Sequence, residues 1–146
     1  MQISQEIDVF SYSIRGYNDG AITINIPVDP DEFMAKRADP KVETPKIQQE
    51  DLAASFLISA KQLVRAWPPK SIDELTEDDV ALMASMEPEV VILGTGRRLQ
   101  WPPRSLFRSL IDKGIGYEVM DTAAACRTYN ILSYEGRRIV AGLIID

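Results

Sequence analysis

Gly94-Thr95-Gly96 follows the apolar run Val90 to Leu93, and Arg97, Arg98, Arg104 and Arg108 come after it with no acid between them. Open α/β sheets bind ligands at the carboxyl ends of such strands, where glycines let the backbone approach a phosphate and arginines balance its charge. A dinucleotide fingerprint would need a third glycine at position 99, which is Leu99, and a helix that begins at once, whereas Pro102 and Pro103 delay it. No Walker lysine follows either. A tight strand exit beside solvated arginines is the plainer reading, and an anion site stays open.

Three further groups belong to the same argument. Glu118 sits in the apolar run Ile115 to Met120, where a carboxylate covered by helices needs a cation such as Arg137 or Arg138. A buried ion pair is preferred over a catalytic acid, since no second carboxylate or histidine lies close in sequence. Asp121 and Thr122 have the chemistry of a helix cap ahead of Ala123 to Glu135, which brings that helix start beside the Gly94 loop. Cys126, in the first turn, would have its thiol pKa lowered by the helix dipole; lacking a histidine base or resolving cysteine, it reads better as a small core residue than as a nucleophile. The candidate pocket therefore comprises Gly94, Thr95, Gly96, Arg97, Arg98, Glu118, Asp121, Thr122 and Cys126. Trp101, near Arg104, either caps the core or is an exposed aromatic that anchors a protein interface.

The elements that position these residues form a β-α-β-α-β unit from Glu89 to Ile145, with an expected mostly parallel central sheet. Ahead of it, Phe10, Tyr12 and Ile14 alternate with polar residues, as do Ile22, Ile24 and Ile26, predicting a hairpin around a loop at Gly16 to Gly20. Residues 27–50 carry four prolines among many charges and read as a mobile insertion, with a short helix over Asp31 to Ala38 docking Phe33 and Met34. Ala54 to Ile58 and Leu63 to Trp67 are strand-like. Thr76 and Asp79 have capping-box spacing before a helix that buries Val80, Leu82, Met83 and Met86. The next helix, Arg104 to Lys113, turns Leu106, Phe107, Leu110 and Ile111 to the sheet.

Composition narrows the chemistry. One cysteine and no histidine exclude an internal disulfide and an all-cysteine zinc site, so neither metal nor cofactor is implied. The length of 146 residues suits one domain. Residues 1–93 hold 8 basic and 17 acidic residues, a net −9, while residues 94–146 hold 8 and 5, a net +3. An overall charge of −6 argues against nucleic acid as a partner. No run is apolar enough to span a bilayer, and the first residues resemble no signal or transit peptide, so a reducing cytoplasm is expected.

Taken together, Pro88 to Gly96, Gly114-Ile115, Glu118 to Leu132 and Glu135-Gly136-Arg137-Arg138 resemble the Mth-like domain family of unknown function, which has the mitochondrial complex I assembly factor three among its relatives. The resemblance covers residues 54–146 well and the hairpin more loosely. It implies a three-layer α/β fold with an attached hairpin and, for the mitochondrial members, a role in assembling a respiratory complex through protein contacts, with no established enzyme activity and no catalytic residue to carry over; an unidentified protein partner is therefore expected here, and the absence of a targeting peptide suits a bacterial member. It also implies a short link where residues 27–50 stand. A non-enzymatic interaction or assembly factor is the favoured function; an enzyme binding a small molecule or anion at Gly94 to Gly96 is the alternative.

Overall fold

The computed structural model describes residues 8–18, 20–39, 41 and 46–146. Strands β1 (Ser13–Asn18) and β2 (Ala21–Asn25) make the expected antiparallel hairpin and bury Ile14, Ile22 and Ile24. Its turn is tighter than the sequence suggests. Asn18 pairs with Ala21, so Gly16, Tyr17 and Asn18 are strand rather than loop. A register shift between Ile14 and Gly16 absorbs Arg15 as a bulge, and Gly20 takes the positive φ of +76° that a two-residue hairpin turn demands. Asp19 lies outside the described residues.

The proline-rich stretch is more regular than predicted. Helix α1 (Pro30–Ala38) starts at Asp29, whose carboxylate accepts the Asp31 amide at 2.8 Å, and Lys36 pairs with Glu32 at 2.8 Å. Phe33 meets Phe10 edge-on at 5.6 Å, whereas Met34, expected to dock, remains 61% exposed. No residue of α1 is buried, so cap and charges rather than a core hold it. Strand β3 (Gln49–Leu52) then adds antiparallel to β2, completing a three-stranded sheet. Its sequence, Gln-Glu-Asp-Leu, offers one apolar residue and hence no period to read. The rest of the expected mobile loop, at residues 40 and 42–45, lies outside the described residues.

A five-stranded sheet forms from β4 (Phe56–Ile58), β5 (Leu63–Val64), β6 (Val90–Gly94), β7 (Gly116–Met120) and β8 (Ile139–Leu143), in the order β5-β4-β8-β6-β7. Strands β8, β6 and β7 are parallel, as the β-α-β-α-β pattern requires. However, β4 runs antiparallel to β8, and β5 antiparallel to β4, so the sheet is mixed rather than mostly parallel. For β5 the reason is local: residues 59–62 close a tight turn, with the Ser59 amide on the Gln62 carbonyl at 2.9 Å, and no parallel crossover fits in so short a link, whereas the direction of β4 against β8 is set by pairing between distant segments.

Both faces of this sheet are covered, which is why its strands read as continuous apolar runs. Phe56, Ile58, Ile92, Ala141 and Leu143 face helix α4 (Thr122–Tyr134) and the three-stranded sheet. Leu57, Val91, Leu93 and Val140 face Trp67 and helices α2 (Glu77–Ser85) and α3 (Arg108–Asp112). Thr76 and Asp79 form the predicted capping box. The predicted helix Arg104 to Lys113 is instead a 3-10 turn, Arg104–Phe107, followed by α3, because no side chain caps its start and the first turn tightens. Leu82 and Ile111, expected in the core, are 40% and 46% exposed, since short helices cover the sheet with a narrow stripe.

Two contacts lock the layers. Asn130 of α4 grips the backbone of β1 twice, accepting the Ile14 amide at 2.9 Å and donating to its carbonyl at 2.7 Å, while the Tyr129 hydroxyl donates to Tyr12 O at 2.9 Å. On the other face, Trp67 and Met83 press on β8 where Gly142 has no side chain; a Cβ there would lie 2.7 Å from the indole and 2.8 Å from the Met83 sulfur. Gly142→Ala should therefore lower unfolding free energy by about 1–3 kcal/mol, read as a lower urea midpoint at unchanged m-value.

Candidate functional site

The carboxyl edge of the three parallel strands brings together the Gly94 loop, the start of α4 and the residues after β8. Asp121 caps α4 by accepting the Ala124 amide at 2.8 Å, which fixes Thr122 as the first helical residue directly behind Gly94. The Thr122 side chain is fully buried, and its hydroxyl accepts the Gly96 amide at 2.8 Å while donating to the Ile144 carbonyl at 2.7 Å. Its own amide donates to Gly96 O at 2.9 Å. One residue thus ties three chain segments.

The loop's remaining donors are spent in the same way. The Thr95 amide reaches Met120 O at 2.9 Å, its hydroxyl donates to Arg98 O at 2.6 Å, and the Arg97 amide meets the Asp146 carboxylate at 2.9 Å. A phosphate cradle needs backbone N–H groups pointing at open space. Here the amides of Thr95, Gly96 and Arg97 all have protein partners. The glycines serve close packing: a Cβ on Gly94 would lie 2.9 Å from Thr122 Oγ1, and one on Gly96, already at φ +105°, would strike the Asp146 carboxylate.

The other predicted residues separate. Arg97 and Arg98 are exposed, and Arg97 lines a cleft of about 370 Å³ with Tyr17, Asn18 and Gly20, between the hairpin and the loop. Burial, reinforced by the nearby Asp146 charge, holds the Tyr17 hydroxyl above its ordinary pKa. Glu118 is exposed, contrary to the expected buried ion pair, because β7 is the edge strand of the sheet and its cover there is incomplete; Arg137 pairs with Glu89 instead, at 3.7 Å. Cys126 is 5% exposed, and burial pushes its thiol pKa up to about 12, outweighing the opposite pull of Arg127. The dipole effect expected at this helix start is overwhelmed by desolvation.

Trp101 and Arg104 lie elsewhere on the surface. Trp101 is 72% exposed and so does not cap the core, and Leu99 beside it is 49% exposed. Arg104 and Arg108 line a second cleft of about 370 Å³ with Ser105, Ile111 and Asp112. Among the described residues, Arg97, Arg98, Arg104 and Arg108 make no ion pair. Sequence reasoning missed Asp146 and Tyr17 at the loop. The parallel placement of β8 beside β6 was the available signal for Asp146, since it puts both carboxyl ends on one edge.

Thr122→Val removes a hydroxyl that satisfies two buried backbone groups and should cost about 2–4 kcal/mol in denaturant unfolding, while Thr122→Ser keeps the bonds and should lose about 1 kcal/mol. The Cys126 thiol should resist alkylation at pH 8 until the chain unfolds. Because its folded pKa of about 12 exceeds that of an unfolded thiol, the native state retains the proton longer. Its stabilising contribution is complete below pH ~8.5 and should be lost as pH rises toward 12, visible in urea midpoints measured across that range.

Comparison with known proteins adds a family to this geometry. A protein from Bordetella parapertussis has a crystal structure with TM-score 0.72 and 30% sequence identity, covering 93% of this chain and 97% of that one. A solution structure from Bordetella pertussis, described as a Mth938-like domain, has TM-score 0.68 and 25% identity over 100% of this chain and 93% of the other. Bovine NADH dehydrogenase [ubiquinone] 1 alpha subcomplex assembly factor 3, from Bos taurus, is 39% identical over 85 residues, which are 57% of this chain and 46% of that protein. The chain thus matches less than half the length of this relative. Among the described residues no helix is long and apolar enough to cross a membrane. Residues 38–144 match the model of the protein family of unknown function DUF498/DUF598, and the chain belongs to that family.

Proposed function

We propose that this chain is a protein-interaction module that helps assemble a larger complex, acting as one folded body without catalysing a reaction. The observation that carries this reading is the closed Gly94 loop: its amides are bonded to Met120, Thr122 and Asp146, so the strand exit that could have cradled an anion is occupied by the protein itself. The buried, protonated Cys126 offers no nucleophile beside it. The assembly-factor name of the bovine relative supports the same direction.

Exposed groups are then the working parts. Trp101 and Leu99 present apolar area to solvent, and Arg97, Arg98, Arg104 and Arg108, near them in sequence, have guanidinium groups unpaired among the described residues. Aromatic and arginine side chains are the usual anchors of protein interfaces, because they bury much area and form directed hydrogen bonds. The reducing cytoplasm suits a chain with one buried thiol.

The alternative, an anion or small-molecule enzyme, has one favourable observation, the cleft that Arg97 shares with Tyr17 and Asn18. Native mass spectrometry of the chain purified gently from its host separates the two. The interaction reading expects a stoichiometric protein partner, with Trp101→Ala and Arg104→Glu weakening it about tenfold or more while the fold stays intact. A small anion released on denaturation, with no protein partner, would sink it.

A further inference from the structure

Every sheet edge in the described structure is blunted except one. Strand β1 is blocked at its start by the Asn130 side chain on both backbone groups of Ile14 and by Tyr129 on Tyr12 O, and is broken by the bulge at Arg15. Strand β3 bears two charges, the exposed Asp51 and a half-buried Glu50 held by Arg65 at 2.7 Å, and β5 is two residues long. Strand β7 is five residues, contains no proline, and ends the order β5-β4-β8-β6-β7.

Two contacts set its hydrogen-bond parity. The Gly116 amide donates to Glu89 O at 3.3 Å, and Met120 O accepts the Thr95 amide at 2.9 Å. In a parallel ladder, alternate residues spend both backbone groups on the same neighbour. Gly116, Glu118 and Met120 therefore face β6, and the N–H and C=O groups of Tyr117 and Val119 point outward, without a partner among the described residues. Tyr117 is held rigid by stacking on Phe107 at 4.2 Å between ring centres. The strand is preformed for addition of another.

Glu118 decides which strand can be added. Were two copies to pair β7 against β7 about a two-fold axis, using the outward groups of Tyr117 and Val119, each Glu118 would fall opposite its mate. That position is a non-hydrogen-bonded pair, with Cα atoms about 4.5 Å apart and side chains on the same face. Two exposed carboxylates so placed repel. A strand with Lys or Arg at that position meets an opposite charge instead. We infer that β7 is a docking edge for an extended, cationic segment of a partner protein, with Glu118 serving both to admit that segment and to exclude a second copy of this chain. The inference rests on the protein-interaction reading for its biological purpose, but not for its geometry.

Isotope-labelled chain mixed with unlabelled Glu118→Lys chain supplies a cationic strand of known shape. Amide exchange at Tyr117 and Val119, followed by NMR, should slow in that mixture and recover in high salt, and should be unchanged when unlabelled wild type replaces the variant. Glu118→Arg provides the same charge if the lysine variant folds poorly. Equal exchange in all mixtures, or equal slowing with wild type, would overturn the inference. Purification from the host with both forms keeps the two readings apart. A partner held by wild type and lost on Glu118→Lys supports the docking edge. One held equally by both removes β7 from the interaction while leaving the interaction reading in place, and no stoichiometric partner with either form removes that reading itself.

Discussion

A single hydroxyl group holds the carboxyl edge of this protein together. Thr122 Oγ1 takes the Gly96 amide and gives its proton to the Ile144 carbonyl, and both bonds are sealed from water. Buried polar groups are costly unless paired, so the β6 exit, the start of α4 and the tail of β8 can only come together around a small side chain with one donor and one acceptor in that place. Gly94 follows from it, because Thr122 and Ala125 lie where a side chain would project. So does Gly96, with Asp146 pressed against it. The features that made this loop look like a ligand site are those that let the protein close on itself.

Helix α4 carries that closure through the molecule. Its first turn meets the Gly94 loop; Ala125, Cys126 and Tyr129 pack between the five-stranded sheet and the hairpin; and Asn130 substitutes for a neighbouring strand along β1. Small residues at the helix start permit the close approach, and larger ones further along fill the wedge between the two sheets. With its interior committed to packing, the molecule has its chemistry at the periphery. The unpaired arginines, the exposed Trp101 and the open backbone of β7 are all on the outside, where they suit a partner rather than a substrate.

Charge follows the same division. The basic surplus of residues 94–146 comes with the parallel unit, and among the described residues its arginines stay in solvent instead of neutralising the acidic first half, apart from the Arg137–Glu89 pair. Exposed ion pairs contribute little to stability, so nothing in folding requires these groups to pair internally. They remain available for association, where long-range attraction raises encounter rates.

Local chemistry was legible wherever it acted over a few residues. The capping box of Thr76 and Asp79, the Asp121 cap, the period-two alternation of the hairpin and the doubly buried runs of β4, β6 and β8 all follow from backbone hydrogen bonding and apolar burial within one segment. The β-α-β-α-β order, and the family resemblance carried by motifs between Pro88 and Arg138, needed no coordinates either. What tertiary structure alone decided was pairing between distant segments. Strand β3 has no period of its own and exists because β2 offers it a ladder. The antiparallel β4 makes the sheet mixed, since nothing in Phe56 to Ile58 encodes the direction of its neighbour. Glu118 lies at an edge rather than in the core because strand order, not strand composition, sets exposure. The Gly94 loop is full because Asp146 and Thr122 arrive from far along the chain. Hydrogen-bond partners more than twenty residues away leave no trace in local spacing, and they determine whether a glycine-rich turn holds a ligand or holds the protein.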